Sequence, residues 1–316
     1  EKKPPQREEE LEEEFNHIIK ETGASLLQNR HANNKVLSKK IPKKKDWSKS
    51  LENIEYSLDK LNGSIVNLFL DDDMVYINTE YQVSNYKYQQ EIKTLITSKN
   101  QIKQMKCYNG DIWLNLDNNE LCVCNITNNK AEEEKKMKLK NTIKDFTIHP
   151  SNRYIGTTPY NIQDVNYSFN LIDFNTNQSI YSIKNNDYKQ THSLDFHPDG
   201  MLMGITNGSN NISIYDLTSK QLGLNMNLET LCNQFIFSEN GYHIAMNDEK
   251  NVYIYDLRKA TQAIHIQYYE NPINNIYIDP SGTLLMTATN DTIDIKTMKK
   301  AVIYKTIQTD TPQKII

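Results

Sequence analysis

The sequence has little of what catalytic, metal-binding and membrane-spanning proteins need. Its four cysteines among 316 residues are too few and too scattered for a disulfide framework. Cys122 and Cys124 lie two apart on a strand-like run, and we interpret all four as buried thiols in a reducing compartment and not as metal ligands. There is no run of 18 apolar residues and no hydrophobic region of a signal peptide. We therefore expect an intracellular chain with no membrane span.

Sequence motifs of catalysis are missing too. The chain contains no G-x-S-x-G elbow, no phosphate-binding P-loop, no H-E-x-x-H and no cysteine pairs spaced for zinc. Its formal net charge of -4 gives no overall attraction to nucleic acid. We expect no catalytic residue, no metal and no cofactor in this chain, and a function in binding.

What the sequence does contain is a repeat of about forty residues. Gly200, Gly241 and Gly282 are 41 residues apart, and each stands between an apolar run and an alternating one. Glycine supplies the positive φ that a tight hairpin needs there. A second run ends in Tyr-Asp-Leu at 215–217 and 255–257, and weaker copies of the unit occur around Asn152, Gly110 and 71–73, with an insertion at 157–168.

A period near forty with four short strands and a Trp-Asp-like ending is typical of a WD-repeat propeller blade. Tyrosine replaces the tryptophan here. The Val, Ile, Tyr and Thr content with period-two alternation argues against a solenoid of helix pairs. The sequence thus predicts an all-β WD-repeat β-propeller with tight hairpins at Gly110, Asn152, Gly200, Gly241 and Gly282. Six blades can be recognised in the sequence, and we interpret 307–316 as the start of an incomplete seventh. A propeller of six blades in all is the alternative.

The repeats also depart from the WD pattern. The usual Gly-His pair and the Ser/Thr of the buried His-Asp-Trp network are missing. We therefore expect these blades to depend more on apolar packing. His149 and His197, each before a turn proline, are interpreted as loop histidines whose rings bond to local backbone, without a catalytic role.

The chain is predicted to divide into an acidic amphipathic helical segment at 1–34, a Lys-rich linker at 35–58 and the propeller at 59–316. In the first segment, apolar residues recur at helical spacing, and the helix should end or kink at Gly23. One such stripe cannot be buried alone, so the helix should dock on a partner or belong to a longer helical region; a solvated acidic tail is the alternative. The stripe consists of Leu11, Phe15, Ile18, Ile19, Thr22 and Leu26.

The linker lysines suit a nuclear localisation signal or phosphate contacts, and a solvated linker is the alternative.

Several segments in consecutive blades together resemble one family. They are FHPDG at 196–200, FSENGY at 237–242 with VYIYDLRK at 252–259, and IDPSGTLL at 278–285. In this order they resemble the pre-mRNA-processing factor 19 family of spliceosomal U-box ubiquitin ligases. VLSKKIPKKKDW at 36–47 is similar to the basic segment before the propeller in fungal members. The resemblance is strongest over 190–300 and weaker over 60–185.

This resemblance implies a ubiquitin ligase with an N-terminal U-box, a coiled coil that forms a homotetramer, and a C-terminal propeller. Neither the U-box nor the coiled coil is visible in this chain, which we expect to be the C-terminal part. The propeller would recruit splicing-complex proteins and ubiquitination substrates in the nucleus, with a further role in DNA repair.

Two other functions stay open. One is a non-catalytic WD-repeat scaffold of a different nuclear or cytoplasmic assembly. The other is an RNA-binding propeller that uses the lysines at 35–45 and the many tyrosines. We do not expect direct RNA binding, because the tyrosines follow strand alternation and suit core packing.

Loops at the ends of blades are where propellers meet ligands, so the partner site is sought there. We expect the turn to fix Asn240 and Gly241, and Asp256 to cap its own loop. Arg258 and Lys259 are the strongest candidates, because no strand end requires a basic pair there. We expect the candidate residues not to share one face. They are Ser238, Glu239, Tyr242, Arg258 and Lys259.

Overall fold

We describe the fold from a computed structural model. The described residues are 13, 15–20, 65–71, 74–87, 93–108, 111–127, 130–161, 165, 167–184, 191, 193–206, 210–227, 231–259, 263–278, 282–289, 292–298 and 302–308. The Lys-rich linker, the turn at Gly110 and residues 309–316 lie outside them, as do Leu11, Thr22 and Leu26 of the helical stripe. The predicted domain boundaries fall in these parts and stay predictions.

The described chain forms twenty-four strands in six antiparallel sheets of four, which we call blades 1–6. Blade 1 contains β1 (Ile65–Asp71), β2 (Met74–Thr79), β3 (Gln82–Lys87) and β4 (Lys93–Thr97). Blade 2 contains β5 (Ile102–Tyr108), β6 (Asp111–Leu116), β7 (Glu120–Thr127) and β8 (Lys130–Lys138). Blade 3 contains β9 (Ile143–Ile148), β10 (Tyr154–Pro159), β11 (Tyr167–Asp173) and β12 (Gln178–Lys184).

The second half of the described chain repeats the arrangement. Blade 4 contains β13 (Leu194–Phe196), β14 (Leu202–Thr206), β15 (Asn211–Asp216) and β16 (Gln221–Asn227). Blade 5 contains β17 (Gln234–Phe237), β18 (His243–Asn247), β19 (Asn251–Asp256) and β20 (His265–Tyr268). Blade 6 contains β21 (Ile273–Ile278), β22 (Leu284–Thr289), β23 (Thr292–Thr297) and β24 (Ile303–Gln308).

The predicted all-β propeller is confirmed. The first strands of successive blades are neighbours from β1 to β21, so the blades follow one another in sequence order around an axis. Within the described part of 190–300 the only helical piece is a 3-10 turn at Leu257–Lys259. Ile307 and Gln308, which we assigned to a seventh repeat, belong to the outer strand of blade 6. Six blades are seen among the described residues, and a seventh stays a prediction.

Burial follows position within the blade. The second strands β6, β10 and β18 are buried along their whole length, because neighbouring blades cover both faces of each sheet. The outer strands β12 and β16 are mostly exposed or half-buried. The core therefore lies between the blades.

Each blade has two ends, and the same backbone bond recurs at one of them. The residue just after the third strand donates its N–H to the residue that follows the first turn: Phe174 to Arg153, Leu217 to Met201, Leu257 to Tyr242 and Met298 to Thr283, at 2.8–2.9 Å. The turn between the first and second strands thus lies beside the turn between the third and fourth. We call this end the turn face. At the opposite face, Ile273 N–H bonds to Glu249 O at 2.7 Å, joining an interblade connection to a turn between second and third strands.

The predicted hairpins are confirmed at four positions on the turn face. Their φ angles are 58° at Asn152, 74° at Gly200, 70° at Gly241 and 65° at Gly282. The N–H of Gly200 closes its turn on His197 O at 2.7 Å, and the N–H of Gly241 closes on Ser238 O at 2.8 Å. Glycine and asparagine stand there because this left-handed conformation disfavours other residues.

The turn histidines bond to local backbone, as expected, since Nδ1 of His149 accepts the Ser151 N–H at 3.1 Å and Nδ1 of His197 accepts the Asp199 N–H at 3.3 Å. Their Nε2 atoms bond in addition to the next blade, which the sequence did not predict. His149 Nε2 lies 2.7 Å from Gly200 O, and His197 Nε2 lies 2.9 Å from Gly241 O. Each ring also has a near partner: Nδ1 of His149 contacts Ser151 Oγ at 2.8 Å, and Nδ1 of His197 contacts Asp199 Oδ1 at 2.7 Å. The histidines therefore join neighbouring blades at the turn face.

Blade 5 has a buried polar network, and the expectation that the blades depend more on apolar packing stays a prediction. Asp248, in the turn after β18, accepts hydrogen bonds from the N–H groups of Lys250 and Asn251 at 2.8 and 2.6 Å. The Tyr253 hydroxyl donates to the same carboxylate at 2.8 Å. Tyrosine thus pairs with the turn aspartate in this blade.

In the acidic N-terminal segment, the described residues 13 and 15–20 are helical, and we call this helix α1. Phe15 and Ile19 have no exposed surface and belong to the hydrophobic cluster between blades 3 and 4. The solvated-tail alternative is therefore wrong for these residues. No helix among the described residues combines the length and the apolar character needed to cross a membrane.

Candidate partner-binding site

The candidate residues lie on two adjacent loops of blade 5, both on the turn face. Ser238, Glu239 and Tyr242 belong to the turn between β17 and β18, and Arg258 and Lys259 follow β19. The Leu257 N–H donates to Tyr242 O at 2.8 Å and holds the two loops side by side. Our expectation that the two groups do not share one face was wrong, because the sequence does not show that these two loops meet.

Ser238 serves the turn and is not available to a partner. It is fully buried, its hydroxyl bonds to Asn240 Oδ1, and its N–H donates to His243 O at 2.9 Å. Asn240 Oδ1 also accepts the Tyr242 N–H at 2.9 Å. The expectation that turn geometry fixes Asn240 is confirmed, and Ser238 joins it as a structural residue.

Arg258 has a structural role that the sequence did not reveal. Its Nε and Nη2 donate to the two carboxylate oxygens of Asp256 at 2.8 and 2.5 Å, and its own N–H donates to Asp256 Oδ1 at 3.0 Å. Asp256 thus caps its own loop, as predicted. The guanidinium lies over the Tyr242 ring, 4.8 Å from its centroid. Arg258 is therefore held in one orientation by a fork of two hydrogen bonds and an aromatic face.

Charge pairing determines the protonation of these groups. Hydrogen bonds from Arg258 hold the pKa of Asp256 well below its usual range, and the same carboxylate raises the pKa of Arg258. Both charges therefore persist across the physiological pH range. The Arg258 side chain is 62% exposed and Tyr242 is 43% exposed, so the pair faces solvent although its geometry is fixed.

Glu239 and Lys259 flank this pair and are exposed. Together we call Glu239, Tyr242, Arg258 and Lys259 the blade 5 corner. It presents an ordered cation on an aromatic ring with a second cation beside it. Such a surface can contact an acidic or aromatic segment of another protein, because arginine and tyrosine are frequent interface anchors.

Blade 3 contains a related pair that sequence reasoning missed. Arg153, at the turn position that Tyr242 occupies in blade 5, donates Nε and Nη2 to Asp173 Oδ2 at 3.0 and 2.8 Å. Its side chain is only 22% exposed. The aspartate that ends the third strand was the available signal, since Asp173 and Asp256 occupy equivalent positions in the repeat. The blade 3 pair is largely buried, so only the blade 5 pair is available to a partner.

Metal chemistry has no visible site in the described residues, where no group of three or more His, Cys, Asp or Glu side chains is arranged to hold an ion. The four cysteines are buried and unpaired by disulfides, in agreement with our interpretation of them as buried thiols. Burial raises the pKa of Cys232 to about 12, so this thiol stays protonated and unreactive.

Comparison with known proteins gives related sequences within the propeller. Pre-mRNA-processing factor 19 from Dictyostelium discoideum is 29% identical over 51% of this chain, and pre-mRNA-processing factor 19 homolog 2 from Arabidopsis thaliana is 26% identical over 57%. Pre-mRNA-processing factor 19 from Oryza sativa subsp. japonica is 31% identical over 32% of the chain. These matches confirm the predicted resemblance to the pre-mRNA-processing factor 19 family. The closer likeness to fungal members stays a prediction.

The matches with these factor 19 relatives are partial. They span 31%, 32% and 20% of the three relatives' own lengths, in the order given. No family model matches the chain. A solved structure with a similar fold is the β-propeller domain of Cps50 (Swd1) from Myceliophteria thermophila, with a TM-score of 0.68 over 81% of this chain and 89% of that one. At 9% sequence identity this likeness shows the fold alone.

Proposed function

We propose that this chain is the partner- and substrate-recruiting propeller of a U-box ubiquitin ligase that acts in pre-mRNA splicing in the nucleus. The observation that carries the proposal is the sequence match to three proteins named as pre-mRNA-processing factor 19, over up to 57% of the chain. The ligase activity itself belongs to a U-box that we expect outside this chain. A further role in DNA repair is part of the same family expectation.

The architecture supports recruitment over catalysis. Six blades place many loops on two faces around one axis, which suits simultaneous contacts with several proteins. A U-box ligase needs no nucleophile in such a domain, because it accelerates ubiquitin transfer by positioning the charged conjugating enzyme near a substrate. The propeller would supply the substrate and the splicing complex.

The first experiment asks whether the chain enters splicing complexes. The tagged chain is incubated with nuclear extract under splicing conditions, and spliceosomal small nuclear RNAs and proteins are measured in the captured fraction. We expect them to be enriched over a capture with the Cps50 propeller, which shares the fold at 9% identity. Equal recovery with both propellers would contradict a splicing role and favour a scaffold of another assembly.

The second experiment tests the blade 5 corner. We expect Arg258→Ala with Lys259→Ala to weaken binding to a co-purifying splicing protein by roughly 5- to 150-fold, since two exposed interface cations are lost. The melting temperature should change by no more than about 2 °C, because an exposed ion pair contributes little to stability. Titration calorimetry and a thermal melt provide the two readings.

A matched control removes two positive charges from the opposite face. Lys99 lies in the connection between blades 1 and 2, and Lys250 lies in the turn between β18 and β19 of blade 5. Lys99→Ala with Lys250→Ala should leave binding unchanged. Equal weakening by both double variants would show that net charge, and not the blade 5 corner, governs the association.

A further inference from the structure

The buried face of helix α1 shows that the N-terminal segment is part of the propeller surface. Phe15 and Ile19 are four residues apart and share one helix face, and both have 0% exposure. Glu13, His17 and Lys20 are exposed, and Ile18 is half-buried. Within the described residues, the amphipathic stripe that the sequence predicted is therefore covered by the same chain at Phe15, Ile18 and Ile19.

The surface beneath α1 is a groove at the junction of blades 3 and 4. The Phe15 ring meets the Tyr154 ring edge-on, with centroids 5.2 Å apart and planes at 74°. Tyr154 begins β10 at the turn face, so α1 lies at that end of the junction. The cluster draws on both blades, and besides Tyr154 its buried members are Phe169, Leu171, Leu194, Phe196, Met203, Ile205 and Leu217.

The groove itself stabilises the helix. Burial of Phe15 and Ile19 stabilises the helical conformation of the described residues of α1, because most helical stability in proteins comes from packing of the apolar face. Because α1 and the groove belong to one chain, the helix meets the groove in an intramolecular step, which raises its effective concentration there.

We propose that the blade 3–4 groove is a docking site for a short amphipathic helix with an aromatic residue followed four positions later by isoleucine, and that residues 13–20 occupy it in cis. The occupied groove holds the described residues of α1 on the turn face beside Tyr154. Another helix of the same pattern can bind only after it displaces α1. This proposal is independent of the splicing function.

The test uses the full chain in three forms: wild type and two double variants. Phe15→Ala with Ile19→Ala removes the two buried side chains, and His17→Ala with Lys20→Ala changes the exposed face of the same helix as the control. A fluorescent peptide of residues 8–24 is titrated into each, and binding is followed by anisotropy. We expect the peptide to bind the Phe15/Ile19 variant at least tenfold more tightly than the wild-type chain or the control variant.

Three results would overturn the proposal. The first is no peptide binding to the Phe15/Ile19 variant, and the second is equal binding to the variant and to wild type. The third is equal binding of a peptide that itself carries Phe15→Ala and Ile19→Ala. A sedimentation measurement on the wild-type chain separates cis from trans docking: a dimer that becomes a monomer in the Phe15/Ile19 variant would contradict docking in cis.

A measurement on the wild-type chain covers the case in which the variant does not fold. The amides of residues 17–20 should exchange with deuterium at least tenfold more slowly in the chain than in the isolated 8–24 peptide. Equal exchange rates would show that α1 is not docked.

Discussion

At the scale of single residues, the turn glycines meet two requirements at once: a positive φ angle and the close approach of a side chain from another blade. Gly200 has a φ of 74°, and a Cβ at this position would lie 2.7 Å from Nε2 of His149 in the preceding blade. A Cβ on Gly282 would collide in the same way with the Asn240 side chain. The positive φ can be predicted from a turn sequence, whereas the contact with another blade cannot, because it joins residues more than forty positions apart.

This double requirement predicts a large cost for a small change. We expect Gly200→Ala to lower the free energy of unfolding by about 1–3 kcal/mol, because the methyl group meets the His149 ring and the left-handed backbone disfavours alanine. Gly223→Ala on β16 is the control, since its Cβ would lie 3.5 Å from the nearest atom, Ile214 O, an ordinary contact. It should change stability by less than about 0.5 kcal/mol. Urea unfolding measures both, and equal costs would contradict the argument.

Arg258 shows the limit of sequence reasoning at a site residue. The sequence offers no reason for a basic residue after Tyr-Asp-Leu. In the structure, however, the Arg258 guanidinium donates two hydrogen bonds to the carboxylate of Asp256, two positions earlier. A contact over two positions is local and could have been suggested, but the stacking on Tyr242 depends on two loops that meet only in the folded blade. The structure thus assigns Arg258 both a local bond and an exposed face.

At the scale of elements, alternation and turn residues predicted the strands of blades 4 to 6 well. Most of the runs VYIYDL and ISIYDL became β19 and β15, whereas the ends of the predicted insertion at 157–168 belong to β10 and β11. The surface on which helix α1 packs could not be predicted. An apolar stripe indicates that one face of a helix is buried, but it does not show which residues bury it. The groove that holds α1 is formed by side chains of blades 3 and 4, which come together only in the folded chain.

The outer strand of blade 5 has an exposed apolar row. Ile264, Ile266 and Tyr268 alternate on and next to β20, with 47%, 56% and 67% of their surfaces exposed. An outer strand also has backbone groups without a neighbouring strand in its own sheet, and such an apolar edge favours association with other chains.

We expect Ile266→Lys to reduce self-association of the purified chain at high concentration without lowering its melting temperature, because the side chain already faces solvent and lysine opposes edge pairing. Light scattering across a concentration series is the measurement. Leu222→Lys on β16 adds the same charge at an outer-strand residue that is 50% exposed, and it serves as the control. A reduction of the same size in both variants would point to net charge and away from the β20 row.

At the scale of the whole molecule, side chains of the first strands fasten each blade to the next. Phe237 N–H donates to Asp195 Oδ2 at 2.8 Å, joining blades 4 and 5. The Gln234 amide donates to Ile276 O at 3.1 Å and accepts Ile276 N–H at 2.9 Å, joining blades 5 and 6. Each of these bonds spans 42 residues, about one repeat of the sequence, so it joins a first strand to the first strand of the next blade.

Two of the interblade residues titrate with opposite effects on stability. Burial lowers the pKa of His149 to about 4, and burial raises the pKa of Asp195 to about 7. The ordinary values are 6.5 and 3.8. For His149 the unfolded chain binds more protons between pH 4 and 6.5, so stability falls as the pH falls through this range. For Asp195 the folded chain binds more protons between pH 3.8 and 7, so stability falls as the pH rises.

In the wild-type chain these two effects of pH on the free energy of unfolding oppose each other between pH 4 and 6.5. Variants that remove only one of the two groups should separate the effects. Asp195→Asn removes the carboxylate but keeps an oxygen that can accept the Phe237 N–H. Its stability relative to wild type should therefore improve as the pH rises from 4 to 7. His149→Gln should show the reverse trend, becoming relatively more stable as the pH falls. The His149 effect is on the order of 3 kcal/mol across its full range, because the pKa falls from 6.5 to about 4 on folding.

The Asp195 effect should be the smaller one, because its side chain keeps some solvent exposure while the His149 side chain has none. Denaturant unfolding at half-unit pH steps from 4 to 7.5 gives each difference from wild type, which cancels the titration of the other carboxylates. If the free energies of unfolding of wild type and Asp195→Asn change with pH in parallel, Asp195 is ionised in the folded blade at all these pH values. If the free energies of unfolding of wild type and His149→Gln change with pH in parallel, the His149 ring can take up a proton without breaking its hydrogen bond to Gly200.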